Sequence, residues 1–385
     1  MSSKEIFGLR RDGNLIAAYK FAKIDLLSTP DDEWIKKAFS WVLIDYIKLA
    51  TEKFEFEKFE NYSNELFALN LSIEEKLLYE NYSWIVYKWL LKLNELTNDI
   101  EGKVKQIDND NKLTVNINSV FSFIKKIKLE KPNKLYSVLY RITIKLFPDW
   151  ETLDWFGLNF FIKEDYFPFT TKDDEIFPSL VERAFIIYAK KILKGENTNK
   201  LMNNNYIDNV EDYNVIINQD RINKFLPHLD EIIEKHPEYT NLPLYKVKLL
   251  LAKHEEKEDI LNFFIPFARK NKDEFWVWYV MADLFNENDN RKLACLCKSS
   301  TCNVKDDFLI KTHHKIAVLL IDIKLYQEAN IEIKTISHIS KINGWSIPLA
   351  VNDWIKNDWY STSIPTTKNN NFYQKYIKNA EDILN

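Results

Sequence analysis

Small and apolar residues recur in the C-terminal third of the chain at a spacing of 34–35 residues. Ile260, Ala294 and Ala329 mark this period, and in two copies a second small residue, Ala282 or Ala317, lies twelve positions before the marker alanine. A repeat of this length holds one helical hairpin per copy, and a single hairpin cannot bury its apolar face alone. The spacing therefore predicts consecutive pairs of helices that pack against one another.

Other positions of the repeat carry apolar residues at the three-to-four spacing of a helix face. In the C-terminal copies these positions are Leu244, Val247, Leu251, Phe264, Phe267, Trp278, Met281, Phe285, Ile316, Leu320 and Tyr326. The N-terminus carries the same signature at Gly13, Ala18, Ala22, Pro30, Trp34, Ala38 and Trp41, with Ala50 again twelve positions after Ala38. We therefore expect hairpins at both ends of the chain.

Glycine is scarce, with 6 in 385 residues, and this favours long helices over tight β-hairpins. A phosphate-binding loop needs two or three glycines in one turn so that backbone amides can approach the anion. Gly8 and Gly13 are the only nearby pair, and Asn14 and Leu15 follow where a P-loop has Lys and then Ser or Thr. Walker-type and dinucleotide-binding enzymes are excluded. Apolar and polar residues alternate as in a β-strand at 113–117, but this stretch stands alone. We therefore expect an all-α fold.

Capping patterns and polar stretches predict the boundaries of elements and domains. Thr29-Pro30, Ser72–Glu75 and Ser179–Glu182 are typical of helix starts. Polar stretches predict loops at 98–112, 196–209 and 361–371, of which 196–209 is the best internal break. The expected domains are N-terminal hairpins over 1–100, an atypical helical middle section over 112–195, C-terminal hairpins over 220–360 and a terminal helix over 372–385.

The net charge and the cysteine count limit the binding partners and the cellular compartment that we expect for this protein. The net charge of −4 and pI near 6.0 give no bulk preference for nucleic acid or an anionic membrane. Three cysteines do not form a disulfide framework and suit a reducing compartment. The sequence has no signal-peptide core and no run of about 18 apolar residues that could span a membrane. We expect a soluble cytoplasmic protein.

The repeat resembles the tetratricopeptide repeat, in which small residues let the two helices of a hairpin, and then the next hairpin, approach closely. The signature covers about half of the chain, residues 1–60 and 240–340. The resemblance implies a right-handed α-solenoid with an irregular, aromatic-rich middle section. It also implies a concave face that binds a partner protein or peptide through first-helix side chains. By register these are Lys248, Tyr279, Asp283 and Lys315.

Several segments together carry a more specific resemblance. They are KPNKLYS at 131–137, WFGLNF at 155–160, EDYFP at 164–168, PSLVERA at 178–184, FWVW at 275–278 and GWSIP at 344–348. The combination resembles an uncharacterised bacterial family of tetratricopeptide proteins whose longer members continue into small β-barrel modules of the nucleic-acid-binding kind. The resemblance implies a helical platform alone, since those modules would begin about where this chain ends. It also implies a setting among mobile-element and phage-conflict genes.

The side chains most typical of metal ligands are Cys295, Cys297 and Cys302, with His313 and His314 downstream. Zinc needs four converging ligands, whereas two cysteines two positions apart on a helix point about 200° away from each other. The repeat register also places Cys295 and Cys302 near a packing face, where cysteine behaves as a small hydrophobe. We favour structural cysteines, with zinc binding and redox switching as alternatives. We interpret the histidines as packing or surface residues.

The sequence contains no complete enzyme motif. His254-Glu255-Glu256 begins like a zinc-protease helix, but Glu258 stands where the second histidine is needed. Asp149 and Asp154 lie in the most aromatic stretch, 147–169, which we interpret as packing between two sets of repeats. The alternative for that stretch is an aromatic groove for a peptide or a base. We expect no enzyme activity, no cofactor and no metal.

A local basic run supports a second functional hypothesis. Lysines on the outer face of an amphipathic helix are usually only solvated. If they lined a concave surface, they would track phosphates in a salt-sensitive way. The alternative function is therefore an RNA- or DNA-binding helical-repeat component. Its contact residues would be Lys125, Lys126, Lys128, Lys131, Lys134 and Arg141.

Overall fold

The structure is a computed structural model that describes residues 2–101, 118–147, 149–170, 174, 176–195, 216–362 and 368–385. These residues are mostly helical, so the all-α fold class is confirmed. Contacts divide the chain into two compact units, Met1–Ala184 (unit 1) and Phe185–Asn385 (unit 2). The division falls within one helix, Leu180–Lys194, whereas the break predicted at 196–209 lies outside the described residues.

Unit 1 begins with long helices, followed by shorter and less regular elements. The helices are α1 Ser3–Arg11, α2 Leu15–Ser28, α3 Glu33–Lys53, α4 Phe56–Ala68, α5 Lys76–Glu101, α6 Lys134–Leu146, α7 Trp150–Phe156 and α8 Leu180–Lys194, the last of which continues into unit 2. A helical stretch at 118–124 precedes α6. A 3-10 turn, Lys163–Tyr166, leads to β1 Phe169–Thr170 and β2 Ile176–Phe177.

The N-terminal helices pack around small residues, as the sequence predicted, but the boundaries of their hairpins are not the predicted ones. Ala18 and Ala22 are fully buried on α2, which packs between α1 and α3. Ala38 and Ala50 both lie on the continuous helix α3. The twelve-residue spacing there therefore does not mark two helices of a hairpin, and that part of the predicted register is wrong.

Two of the three predicted helix starts are displaced by three or four residues. The N-cap of α3 is Asp32, whose carboxylate accepts hydrogen bonds from the backbone amides of Trp34 and Ile35. Thr29 is instead the C-cap of α2. Ser72 forms a local turn with Glu74, and α5 begins only at Lys76. The third prediction is confirmed, because the Ser179 hydroxyl accepts the amide of Glu182 at the start of α8.

The middle section contains an element that the sequence did not predict. Strands β1 and β2 form a short antiparallel hairpin in which Phe169 pairs with Phe177, and both strands are exposed. The alternating stretch at 113–117, where we considered a strand, lies outside the described residues. The aromatic residues nearby pack together, since Phe156 and Phe160 are fully buried beside Tyr140.

Unit 2 contains consecutive pairs of helices. After the C-terminal part of α8, its helices are α9 Gln219–Lys235, α10 Leu242–Ala252, α11 Lys257–Lys270, α12 Phe275–Ala282, α13 Asn290–Ser300, α14 Ile310–Asp322, α15 Tyr326–Ile342, α16 Leu349–Trp354 and α17 Asn370–Glu381. Helices α10 and α11, α12 and α13, and α14 and α15 pack as pairs, and α13 also contacts α14. The markers Ile260, Ala294 and Ala329 are buried on the second helix of each pair.

The last helix of the chain closes the main core of unit 2. Helix α17 packs on α13, and its Phe372, Tyr373 and Ala380 join the apolar cluster formed by α10–α15. A 3-10 turn, Asp382–Leu384, follows it and contacts α11. This is the terminal helix predicted over 372–385. Within the described part of the chain, no helix combines the length and apolar character needed to cross a membrane.

Candidate partner-binding surface

Three of the four residues predicted as partner contacts meet on unit 2. Tyr279 lies on α12, Asp283 is the C-cap of the same helix, and Lys315 lies on α14. The Lys315 ammonium donates a hydrogen bond to the Asp283 carboxylate and lies 4.1 Å from the centroid of the Tyr279 ring. The side chains of Lys315 and Asp283 are 29% and 35% exposed. Two successive first helices thus contribute to one partly exposed cluster.

The electrostatics of this cluster keep Lys315 charged. Burial on its own would lower the pKa of Lys315, but the Asp283 carboxylate and Tyr279 outweigh it, so the pKa is raised. An ion pair that solvent reaches contributes only about 0–1 kcal/mol to folding. The cluster therefore holds a charged lysine between a carboxylate and an aromatic ring, at little benefit to stability.

The fourth predicted residue, Lys248, lies on α10, which packs against α12. Its ammonium is 5.5 Å from the centroid of the Tyr245 ring, and Lys190 of α8 lies 5.9 Å from the same ring. Sequence reasoning missed Tyr245 and Lys190. The position of Tyr245, one helical turn before Lys248, was a usable signal because residues three apart share a helix face. We call the set Lys190, Tyr245, Lys248, Tyr279, Asp283 and Lys315 the aromatic–lysine row.

The row combines lysine ammonium groups with tyrosine rings. A lysine over a tyrosine ring is a cation–π contact, and tyrosine combines an apolar ring with a polar hydroxyl, as interfaces prefer. The row contains three ammonium groups and one carboxylate, Asp283, which pairs with Lys315.

Two lysines of the basic run of unit 1 donate hydrogen bonds to backbone carbonyls near the ends of helices. Lys128 Nζ donates to Asn70 Oδ1 at 3.2 Å and to the Leu71 carbonyl at 2.9 Å, just after α4. Lys131 Nζ donates to the carbonyls of Trp155 and Phe156, the last residues of α7, at 3.1 and 2.6 Å. Burial lowers the pKa of Lys131. Cations stabilise helix C-termini, so these two lysines have a structural role.

The other four basic candidates differ in their contacts. Lys125 pairs with Glu151, and Arg141 lies 3.3 Å from Asp165. The remaining two, Lys126 and Lys134, are exposed and meet no carboxylate within the described ranges. A pocket of about 290 Å³ beside Lys125, Lys126 and Lys128 lies at the C-terminal end of α4, where the helix dipole disfavours anions. The structure therefore brings three of the six candidates, Lys125, Lys126 and Lys128, to one pocket.

The cysteines occupy packing positions. Cys295 and Cys297 are fully buried on α13, and Cys302 is half-buried with its Sγ 3.5 Å from the Lys298 carbonyl. Burial raises the pKa of all three thiols, for Cys302 to about 11. In the described residues no three or more Cys, His, Asp or Glu side chains form a group that could hold a metal. This burial supports the structural interpretation.

The two histidines and the two aspartates of the aromatic stretch have separate roles. His313 is buried, with Nδ1 2.7 Å from Glu332 Oε2, whereas the His314 ring lies 5.0 Å from that of Trp354. Burial lowers the pKa of His314. Asp149 caps α7, because its carboxylate accepts the Thr152 amide at 2.8 Å. The two histidines therefore pack against neighbouring side chains, whereas Asp149 and Asp154 are both exposed.

Sequence reasoning did not nominate Glu332, a fully buried carboxylate on α15. Besides His313, the Tyr373 hydroxyl donates to it at 2.6 Å and the Asn369 amide at 2.5 Å. The Nε2 atom of His313 is buried and meets no hydrogen-bond partner within the described residues. We call Glu332, His313, Asn369 and Tyr373 the buried polar network. No local signal pointed to it, since the other three members lie 19–41 residues from Glu332.

Residues 240–380 match the family model of a domain of unknown function, DUF7017. The matched region contains most of the aromatic–lysine row, from Tyr245 to Lys315, and the whole buried polar network. None of the curated proteins matches the chain.

Proposed function

We propose that this chain is a non-enzymatic scaffold that binds a partner protein or peptide through the aromatic–lysine row. In this proposal the paired helices are tetratricopeptide-like repeats that stack as an α-solenoid, and the first helices present the row to the partner. One observation carries the proposal. Residues chosen by register alone, Tyr279, Asp283 and Lys315, converge from successive first helices into one partly exposed cluster.

The partner that fits this surface is an acidic segment with at least one aromatic or apolar side chain. The ammonium groups of the row would pair with carboxylates, and the rings of Tyr245 and Tyr279 would accept the apolar contact. Because the row is partly exposed, binding should weaken as salt rises. The resemblance places such a partner in a bacterial phage-conflict or mobile-element setting.

Nucleic-acid binding is the second candidate, and the geometry favours it less. Four of its six residues, Lys125, Lys128, Lys131 and Arg141, already bond to carboxylates or backbone carbonyls of unit 1. A lysine ammonium that already donates two hydrogen bonds has only one N–H left for a phosphate. The run therefore supports protein structure more than counterion release.

Affinity enrichment from the host tests the proposal when three forms of the chain are compared. These are the wild type, Lys315→Glu and the matched control Lys356→Glu, an exposed lysine outside the row. We expect one stoichiometric partner with the wild type and the control, and at least tenfold less with Lys315→Glu. Titration of that partner should show an affinity loss of about tenfold or more, equivalent to about 1.4 kcal/mol. Equal recovery with all three forms, or no partner, would contradict the proposal.

A further inference from the structure

The terminal segment 369–385, which consists of Asn369, helix α17 and the 3-10 turn after it, contacts the second helices of all three pairs in unit 2. It packs along α13, and Lys298 of α13 lies 2.7 Å from Glu381. Arg269 of α11 donates to the backbone carbonyl of Leu384 just beyond α17. Asn369 and Tyr373 reach Glu332 on α15. The contacts join residues up to 115 positions apart, so the helix folds back across distant parts of the unit.

The apolar side of this segment fills a groove. Phe372, Tyr373, Ala380 and Leu384 are buried in the core cluster, and Tyr376 packs against it. These positions fall close to one face of a helix, as when an amphipathic helix binds in the groove of another protein. The second helices therefore present a site whose occupant in the structure is part of the same chain.

The polar part of the contact centres on a buried carboxylate, Glu332. A buried carboxylate is a poor source of stability, because its desolvation offsets much of what its hydrogen bonds supply. If α17 undocked, water would return to Glu332, Asn369 and Tyr373, and the three groups would recover their hydration. Undocking would then cost less free energy than the buried apolar area alone indicates. In return, Glu332 selects an occupant that offers donors at the right positions.

We propose that the groove formed by α11, α13 and α15 is a binding site for an amphipathic helix, and that α17 is its resident, exchangeable ligand. The partner that displaces α17 is a helix with the same chemistry, namely a large aromatic residue and, beside it, a hydrogen-bond donor directed at Glu332. This site lies on the second helices, whereas the aromatic–lysine row lies on the first helices and on α8. The inference is therefore independent of the proposed function.

The test uses the full chain with a protease site inserted between Thr362 and Lys368. After cleavage, a fluorescent peptide of residues 368–385 is added, and its binding is followed by anisotropy. We expect the peptide to exchange into the cleaved protein and to bind the uncleaved chain at least tenfold more weakly, because the tethered helix competes at high effective concentration. Circular dichroism of the cleaved protein reports whether unit 2 stays folded.

Two peptide variants separate specific recognition from apolar adhesion. The Tyr373→Phe peptide should bind at least tenfold more weakly, since it no longer donates to Glu332. The matched Tyr376→Phe peptide, altered on the same helix outside the buried polar network, should bind within twofold of the wild-type peptide. Equal affinities for the two variants would overturn the proposal. It would also fail if the original fragment does not exchange over days, or if cleavage unfolds the protein, because α17 would then be an integral part of the core.

Discussion

Glu332 places a carboxylate where hydrogen bonds must replace the water it loses. Its oxygens accept hydrogen bonds from Tyr373 on α17 and from Asn369, the residue before α17. The His313 ring on α14 is its third partner. Burial, followed by the nearby Glu332 charge, raises the pKa of Tyr373. The tyrosine therefore keeps its proton at neutral pH and acts as a donor, as the carboxylate requires.

Replacing Tyr373 by phenylalanine removes that donor while keeping the ring. A hydrogen bond to a charged group contributes about 1.5–3 kcal/mol, so the free energy of unfolding should fall by about that amount. Tyr376→Phe, a half-buried position on the same helix, should change it by less than about 0.5 kcal/mol. Urea unfolding of the full chain measures both. Equal effects would show that the buried polar network does not hold Tyr373.

The half-buried thiol of Cys302 gives a prediction about pH. With its pKa at about 11, Cys302 holds roughly 200-fold less thiolate at pH 8 than an ordinary cysteine. Alkylation of the native protein should therefore be slow at pH 8 and accelerate about tenfold per pH unit up to pH 10. Cys302→Ser should remove the first thiol to react, since Cys295 and Cys297 are fully buried. Fast alkylation of the native chain at pH 8 would contradict this burial.

At the scale of elements, single side chains from neighbouring segments complete several helix ends. The last four carbonyls of a helix have no partner within it, so a short helix such as α7 depends on outside donors. Lys131 supplies one ammonium to two of these carbonyls and lies 5.3 Å from the centroids of the Tyr136 and Trp155 rings. The order of α7 is therefore linked to a lysine 24–25 residues away.

Lys131→Met keeps the apolar stem and removes the ammonium from the end of α7. Two carbonyls then lose their donor, while the desolvation that lowers the pKa of Lys131 is relieved. We expect a net loss of about 1–2 kcal/mol in the free energy of unfolding. Lys134→Met, at an exposed position three residues later, should stay within about 0.5 kcal/mol of the wild type. Urea unfolding followed by tryptophan fluorescence measures the difference. A loss as large for Lys134→Met would indicate a general effect of charge.

At the scale of the whole molecule, the sequence predicted a pair of helices correctly where turn-forming residues lie between the two helices. Asn286 and Asn288 separate Ala282 from Ala294, and the chain turns there. No glycine, proline or asparagine separates Ala38 from Ala50, and there the helix simply continues. The twelve-residue spacing alone does not distinguish the two cases. Between α14 and α15 the turn depends on Lys324 with φ +62°, a conformation that its residue type does not predict.

The candidate sites were also only partly predictable from the sequence. The repeat register selected Tyr279, Asp283 and Lys315, and in the structure the Lys315 side chain contacts the other two. It could not find Glu332, since a glutamate among apolar residues is typical of the solvated side of a helix. Its partner Tyr373 lies 41 positions away, and only tertiary packing brings the two together. Non-local polar contacts of this kind leave no periodic trace in a sequence.

The charge of the whole chain gives the last prediction, which concerns nucleic acid. With a net charge of −4 and most of the basic run engaged within unit 1, few phosphates could be neutralised. We expect no saturation below about 100 µM with a labelled 20-mer of RNA or duplex DNA at physiological salt. Fluorescence anisotropy at low and moderate salt measures this, with Lys125→Glu/Lys126→Glu as the matched variant. Tight binding that falls steeply with salt and disappears in the variant would instead support the nucleic-acid function, because it would show that these two lysines contact phosphates.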